Sequence, residues 1–269
     1  MPLAIITVIY KKYDHLKDFF ATLDLQTDRD FRVYVVDVSP EMKDCALPEY
    51  ATRIHAENKG YAHGLNVGYE CARADGLDQF MFVNDDIAFD VKTVSQARIS
   101  ISEHPQSLIG GKIYYYPGNE YHADRYSDSE LGKVLWYAGG SIDWNHAQAI
   151  HRGVDHVDTG QFDHVEETGF VTGCLMMFDA KLIEKAGKMD GSYFLYFEDA
   201  DWCEQVKKAG LRVYYDYRVR IWHKNSQSTG GSGSDLHRVY QRRNIVKFGL
   251  RYAPIRTKFH LLLNYLRGR

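Results

Sequence analysis

The sequence predicts an α/β protein: a Rossmann-like, mostly parallel central sheet flanked by helices, with a helical tail at its C-terminus. Three observations carry this. Apolar runs of strand length alternate with stretches of helical spacing through the first third of the chain. Polar residues gather where those apolar runs end, the place where open α/β sheets bind ligands. A Gly/Ser-rich stretch, "NSQSTGGSGSD", then sets a basic segment apart from the rest.

The elements follow in order. "LAIITVIY" (Leu3 to Tyr10) is continuously apolar, as expected of a strand covered on both faces. "YDHLKDFFATLDLQT" places Leu16, Phe19, Phe20 and Leu23 at helical spacing. "FRVYVVDVS" reads as a strand ending at Asp37, "RIHAEN" as a short third strand, and "GYAHGLNVGYECARADG" as a helix ending near Gly76. "QFMFVNDDIAF" reads as a fourth strand. "LIGGKIYYYPG" and "KVLWYAGGSIDW" suggest strands of a mixed sheet. The His- and Asp-rich stretches from Gly118 to Glu130 and from His146 to Glu167 read as loops. "VTGCLMMFDAKLIEKAGKMD" reads as strand then helix. "EDADWCEQVKKAGLRVYYD" reads as a helix capped at Gly210, then a strand, with an aromatic strand before it. The segment after the Gly/Ser stretch reads as helical, and no internal repeat is evident.

A chain of 269 residues is long enough to bury a sizeable core as one large domain or two fused halves. Its net charge of -3 gives no reason to expect a nucleic-acid partner. That charge is uneven, because Arg238, Arg242, Arg243, Lys247, Arg251, Arg256, Lys258, Arg267 and Arg269 fall in a stretch from Leu236 onward that holds no Asp or Glu. Cys45, Cys71, Cys174 and Cys203 form no C-x-x-C pair and suggest reduced thiols in a cytoplasmic protein. No apolar run is long enough to span a bilayer, and the N-terminal run reads as a first buried strand.

The sharpest local feature is Asn84, Asp85 and Asp86 inside an apolar stretch. Adjacent carboxylates repel each other and are costly to bury unpaired. Hard oxygen ligands suit Mg²⁺ or Mn²⁺, which can bridge to a diphosphate; a turn with solvated acids is the alternative. Glu198, Asp199 and Asp201 open a helix among aromatic residues. They either cap it and favour its dipole, or supply a general base of raised pKa, with Trp202 stacking on a sugar. His223 ends a strand before the Gly/Ser stretch and reads as structural or as a metal ligand, with that stretch as linker or lid. Gly60, Gly64 and Gly68 recur every four residues, which is no dinucleotide fingerprint and suggests close helix packing. Asn58 and Asn66 could bond a base or ribose; Asp37 could accept from a base or cap a turn with Ser39. His122, His146, His151, His156 and His164 lack ligand spacing and read as solvated loop residues. No G-x-S-x-G, Walker A or H-E-x-x-H motif is present.

In order along the chain, the opening strand with Thr7 and Tyr10, "VVDVS", "NKGYAHGLN", "VNDD", "VTGCLMMFDAKLIEKAGKMD", "YFEDADWCEQVKKAG" and "WHKNSQSTG" resemble the inverting family 2 glycosyltransferases of GT-A fold. The resemblance runs from Ile5 to about Asn244, and its later pieces look most like the rhamnosyl- and galactofuranosyltransferase branch. It implies that "NDD" stands where the family has its D-x-D-type motif, with Asn84 replacing the first acid. Asp86 and His223 would then hold a divalent Mn or Mg ion. Thr7, Tyr10, Asp37, Asn58, Gly60, Asn66, Asn84 and Asp85 would surround the nucleotide. Asp199 would be the catalytic base, with Glu198, Asp201 and Trp202 on the acceptor side.

The same resemblance implies a dTDP- or UDP-linked sugar donor and a glycan or polyprenyl-linked acceptor in surface polysaccharide synthesis. Residues 1–104 would form the donor half and 105–225 the acceptor half, with 226–269 a lid loop and a basic helical tail. Work at the inner face of the cell membrane follows, the tail either meeting anionic lipid or packing back on the acidic body with Arg243 or Lys247 near the site. A sugar nucleotidyltransferase and a non-catalytic sugar-nucleotide- or glycan-binding module stay open. The first would carry a Gly-rich basic loop where this chain reads "IYKKYDHLKD".

Overall fold

A computed structural model describes residues 1–225 and 235–267. The expected lid, 226–234, lies outside them. The strands are β1 (Leu3–Ile9), β2 (Phe31–Asp37), β3 (Ala51–His55), β4 (Gln79–Val83), β5 (Ile87–Phe89), β6 (Leu108–Tyr115), β7 (Leu135–Tyr137), β8 (Gly140–Asp143), β9 (Gln148–His151), β10 (Val165–Glu167), β11 (Leu175–Asp179) and β12 (Val213–His223). The helices are α1 (His15–Leu23), α2 (Tyr61–Ala74), α3 (Thr93–Glu103), α4 (Ala180–Ala186), α5 (Glu198–Lys208), α6 (Asp235–Tyr252) and α7 (Ile255–Leu266).

The apolar runs become the centre of one large sheet. Every residue of β1 is buried, and β1 runs parallel between β2 and β4, with β3 parallel outside β2. β11 then joins β4 antiparallel, β6 joins β11 antiparallel, and β12 lies parallel to β6 with β10 antiparallel at the edge. The main path of the sheet is therefore β3-β2-β1-β4-β11-β6-β12-β10. The four N-terminal strands make the parallel half and the rest the mixed half, as the sequence predicts.

Helix α1 buries Leu16, Phe19, Phe20 and Leu23, the residues its spacing singles out. In α2 the four-residue glycine spacing is a packing device. A Cβ at Gly64 would fall 2.8 Å from a Val8 methyl, and one at Gly68 would collide with Ile6, so the helix lies directly on β1.

Four expectations need correcting. "QFMFVNDDIAF" is two strands: β4 stops at Val83, and β5 leaves its line to pair antiparallel with β12. The polar triad breaks the run because three adjacent polar side chains cannot all fit a strand buried on both faces. "KVLWYAGGSIDW" divides at Gly139, whose φ of +91° breaks extended backbone, giving β7 on the main sheet and β8 in a separate two-stranded sheet with β9. The stretch read as loop from His146 to Glu167 contains β9 and β10. The aromatic stretch before α5 is turn, with Tyr196 and Phe197 both left-handed.

The first tail helix packs on the body. Asn244 Nδ2 donates to the carbonyls of Leu195 (2.7 Å) and Tyr196 (3.0 Å), Arg251 pairs with Asp201 (3.0 Å), and Phe248 stacks on Trp144. Helix α7 folds back along α6, with Leu261 seated over Gly249.

Candidate active site

The site begins where β4 ends. Because β5 pairs with β12 in the register Ile87 to His223, the turn before β5 is brought against the end of β12. Asp86 Oδ1 then lies 3.1 Å from His223 Nε2, and the Lys224 N–H donates to the Asp86 carbonyl at 2.9 Å. Asn84 Nδ2 is 3.4 Å from the same His223 nitrogen. Asp85 turns the other way, to His15 Nδ1 at 3.0 Å. The two adjacent carboxylates are 9% and 3% exposed. Each is matched with its own imidazole, which is how the fold tolerates burying both. Burial pushes the Asp85 carboxyl up while its bond to His15 opposes that, and the same bond raises the His15 imidazole.

The second cluster sits at the start of α5. Asp199 Oδ2 accepts the Gly173 N–H at 2.9 Å and its Oδ1 accepts the Ala200 N–H at 2.8 Å. Glu198 beside it is almost fully buried, and its Oε2 has no hydrogen-bond partner among the described residues. Burial raises both carboxyls. Glu198 is pushed up to about 8 by burial and then by the charge on Asp199, while the two backbone N–H groups hold Asp199 back. The environments differ: Glu198 is raised by burial and by its neighbour's charge, whereas the backbone N–H groups oppose the rise at Asp199. The turn that presents them is strained, since Tyr196 and Phe197 have φ of +67° and +72°.

Tyr61, which the sequence reading missed, joins the clusters. Its hydroxyl donates to Asn84 Oδ1 (2.9 Å) or to the Gly173 carbonyl (3.1 Å). Burial keeps the phenol protonated well above its usual range. The Asn84 N–H also donates to the Cys174 carbonyl at 3.2 Å. A chain of polar contacts therefore runs from His223 through Asn84, Tyr61 and Gly173 to Asp199, with the Tyr61 proton serving either Asn84 or Gly173 at one time. The strand-end acids and the helix-start acids, far apart in sequence, face one region.

The family model described as "Glycosyltransferase like family 2" matches residues 100–243, more than half of the chain. The chain belongs to this family. It is a glycosyltransferase, which sets aside the nucleotidyltransferase and the binding module. The N-acetylglucosaminyl-diphospho-decaprenol L-rhamnosyltransferase of Mycobacterium tuberculosis is 22% identical over 249 residues, covering 85% of this chain and 78% of the relative. Solved structures share the GT-A fold. GalNAc-T7 with UDP, GalNAc and Mn²⁺ matches with a TM-score of 0.66 at 12% identity over 92% of this chain. The chain spans about half (48%) of the length of that one. The mannosyltransferase PcManGT of Pyrobaculum calidifontis, with GDP-Man and Mn²⁺, matches with a TM-score of 0.54 at 14% identity, over 98% of this chain and 69% of that one.

Within this family 2 glycosyltransferase the remaining expected site residues scatter. Gly60 is buried at the start of α2 and Asn58 Oδ1 accepts its N–H at 3.3 Å, while Tyr10 is exposed beside Lys11. Five residues are held elsewhere. Trp202 is fully buried, packed on Phe82 and Phe178 with its indole N–H on the Gly187 carbonyl, so it is core and lines no acceptor site. Asp201 is fully buried beneath α6, held by Arg251 and the Tyr193 hydroxyl, and locks the tail to the body. Thr7 is fully buried in β1, and its hydroxyl has no hydrogen-bond partner among the described residues. Asn66 Nδ2 donates to the Met189 carbonyl and ties α2 to the loop before α5. Asp37 is also fully buried, accepting from Tyr13 Oη and the Ser39 N–H, the turn-capping role. His151, read as a solvated loop residue, sits on β9 against Trp136, Tyr137 and Phe170, and burial pushes its imidazole down to about 4.

The buried Glu198 gives a stability test. Its folded-state pKa is raised, so between pH 4.5 and about 8 the folded protein keeps a proton that the unfolded chain releases. The folded state binds more protons there, and stability falls as pH rises through that window. Glu198→Gln removes this loss. Denaturant unfolding should show parent and variant equal at the acid end of the window and the variant more stable above it, by on the order of 1–3 kcal/mol. A constant difference across the window would mean that Glu198 titrates normally.

Proposed function

We propose that this glycosyltransferase moves a sugar from a dTDP- or UDP-linked donor to a hydroxyl of a lipid-linked saccharide, in one displacement that inverts the anomeric centre. The observation that carries the reading is the path from His223 to Asp199, which sets a cation-seeking cluster and a candidate base on one region. Residues 1–104 supply the donor side, through Tyr10, Asn58, Gly60, Asn84 and Asp85, and residues 105–225 supply the base. The decaprenol-linked substrate in the name of the mycobacterial relative supports the lipid-linked acceptor.

Asp86 and His223 are the residues that would hold a divalent metal. Among the described residues no group of three His, Cys, Asp or Glu side chains is arranged around a metal position. Two protein donors are too few for a resident ion and fit one that arrives with a diphosphate, the usual manner for Mg²⁺. When bound, such an ion neutralises charge developing on the departing nucleoside diphosphate. Asp199 accepts the proton of the acceptor hydroxyl, and the Gly173 and Ala200 N–H groups keep its oxygens aimed and charged until then. Glu198, protonated beside it, adds no second negative charge to repel the acceptor oxygen as it becomes nucleophilic.

Thermal-shift titration tests this with UDP, dTDP, GDP and CDP, each with Mn²⁺, Mg²⁺ or EDTA. One nucleotide with metal should raise Tm by about 5 °C or more at saturation, while metal alone gives little. Asp86→Ala should abolish the shift. An equal shift in EDTA would remove the metal from the mechanism, and no shift with any nucleotide would remove the donor.

A further inference from the structure

Among the described residues no helix is long and apolar enough to cross a membrane, yet α7 exposes more apolar surface than packing on the body explains. Ile255, Phe259 and Leu266 are 83%, 67% and 80% exposed, and Leu262 lies with them. Their spacing of four, three and four residues puts all four on one stripe of the helix. Lys258 flanks one side of that stripe, and Arg256 and Arg267 the other. The opposite face holds the helix down, through Leu261 over Gly249 and the Thr257 hydroxyl on the Trp144 carbonyl (2.8 Å).

We propose that this face of α7 docks on an anionic lipid surface, the apolar stripe entering the headgroup boundary and the flanking cations meeting lipid phosphates. The inference rests on the lipid-linked acceptor reading and gives it a geometry. Charge selects lipid over a second copy of the chain. A two-fold pairing through this stripe would bring the cations Arg256, Lys258 and Arg267 of both copies together along one seam, with no Asp or Glu between Leu236 and Arg269 to offset them. Nor is α7 a loose anchor. It is packed on α6, whose Asn244 holds the Leu195 and Tyr196 carbonyls directly before the helix that carries Asp199. Docking α7 therefore fixes how the acceptor side of the site faces the membrane.

The test is cosedimentation of the full chain with vesicles of phosphatidylcholine alone or mixed with phosphatidylglycerol, comparing the parent with the double variant Phe259→Glu, Leu266→Glu. The parent should bind the mixed vesicles at least about tenfold more tightly than the neutral ones, less so as salt is raised, and the variant should lose about tenfold or more. No binding to mixed vesicles, or equal binding by both proteins, overturns the proposal. A dimer seen by analytical ultracentrifugation, abolished by the substitutions and unaccompanied by vesicle binding, overturns it in favour of a second copy. The nucleotide-plus-metal thermal shift is read on both proteins alongside. If it persists in the variant, the variant is folded and the donor reading stands whatever the vesicles show.

Discussion

Asp199→Asn should lower kcat by about 10²–10⁴-fold, the usual range for losing a general base. The substitution preserves shape. An asparagine oxygen can still accept the longer-range Gly173 N–H, and only the bond from the adjacent Ala200 N–H is lost, so the start of α5 should keep its place and the protein its fold. What it cannot do is take a proton. The metal-dependent nucleotide shift should therefore survive while transfer is lost, separating donor binding from chemistry. In the parent the acid limb of the kcat profile should lie above the ordinary carboxylate range, because burial raises Asp199 and activity falls as that group is protonated. Near-parental turnover in the asparagine variant would move the base elsewhere, and loss of the nucleotide shift as well would show that the substitution disturbs the whole site.

The parallel half of the fold was legible because buried strands and close-packed helices leave period and composition in the sequence. The all-apolar β1 and the Gly64 and Gly68 spacing are direct examples. The acids stood out as a candidate site because Asn84, Asp85 and Asp86 interrupt an apolar run for no local reason. Of their partners, His223 was joined to them only through the family resemblance, and His15 and Tyr61 were not reached at all. Asp86 meets His223 only because three residues of β5 cross to pair with β12, a contact 137 positions apart that no local pattern encodes. His15 and Tyr61 each open a helix after a strand end, where α/β sheets place ligand-facing groups, yet neither stands out by residue type. Trp202 was misread although a signal existed. With Cys203 and Val206 it forms the apolar face of α5, and that spacing assigns it to the core. Asp201 carried no such signal, since its cation Arg251 lies 50 residues away on a helix whose docking is a tertiary event.

Gly60→Ala should destabilise the protein by on the order of 3 kcal/mol, read by chemical denaturation. Two costs combine. At φ of +104° and ψ of 170° the backbone is in a region that only glycine enters readily. A Cβ there would also fall 2.6 Å from the Phe194 Cα and closer still to its carbonyl oxygen, which already accepts the Tyr61 N–H at 3.0 Å. Main chain cannot step aside as a flexible side chain can. Phe194 leads into the strained pair Tyr196 and Phe197, and Asn244 clamps the same segment from α6. Gly76→Ala isolates the first cost, because Gly76 has φ of +80° with nothing within 4 Å of its Cβ position; it should lose only about 1–2 kcal/mol. The difference between the two variants measures how hard α2 is pressed against the turn that presents Asp199. Equal losses would mean that the two are not in firm contact. A larger loss at Gly60, with a weakened nucleotide shift in the protein that still folds, would show that one close backbone approach holds the strand-end acids and the helix-start acids in register, since Tyr61 follows Gly60 directly and bonds toward both.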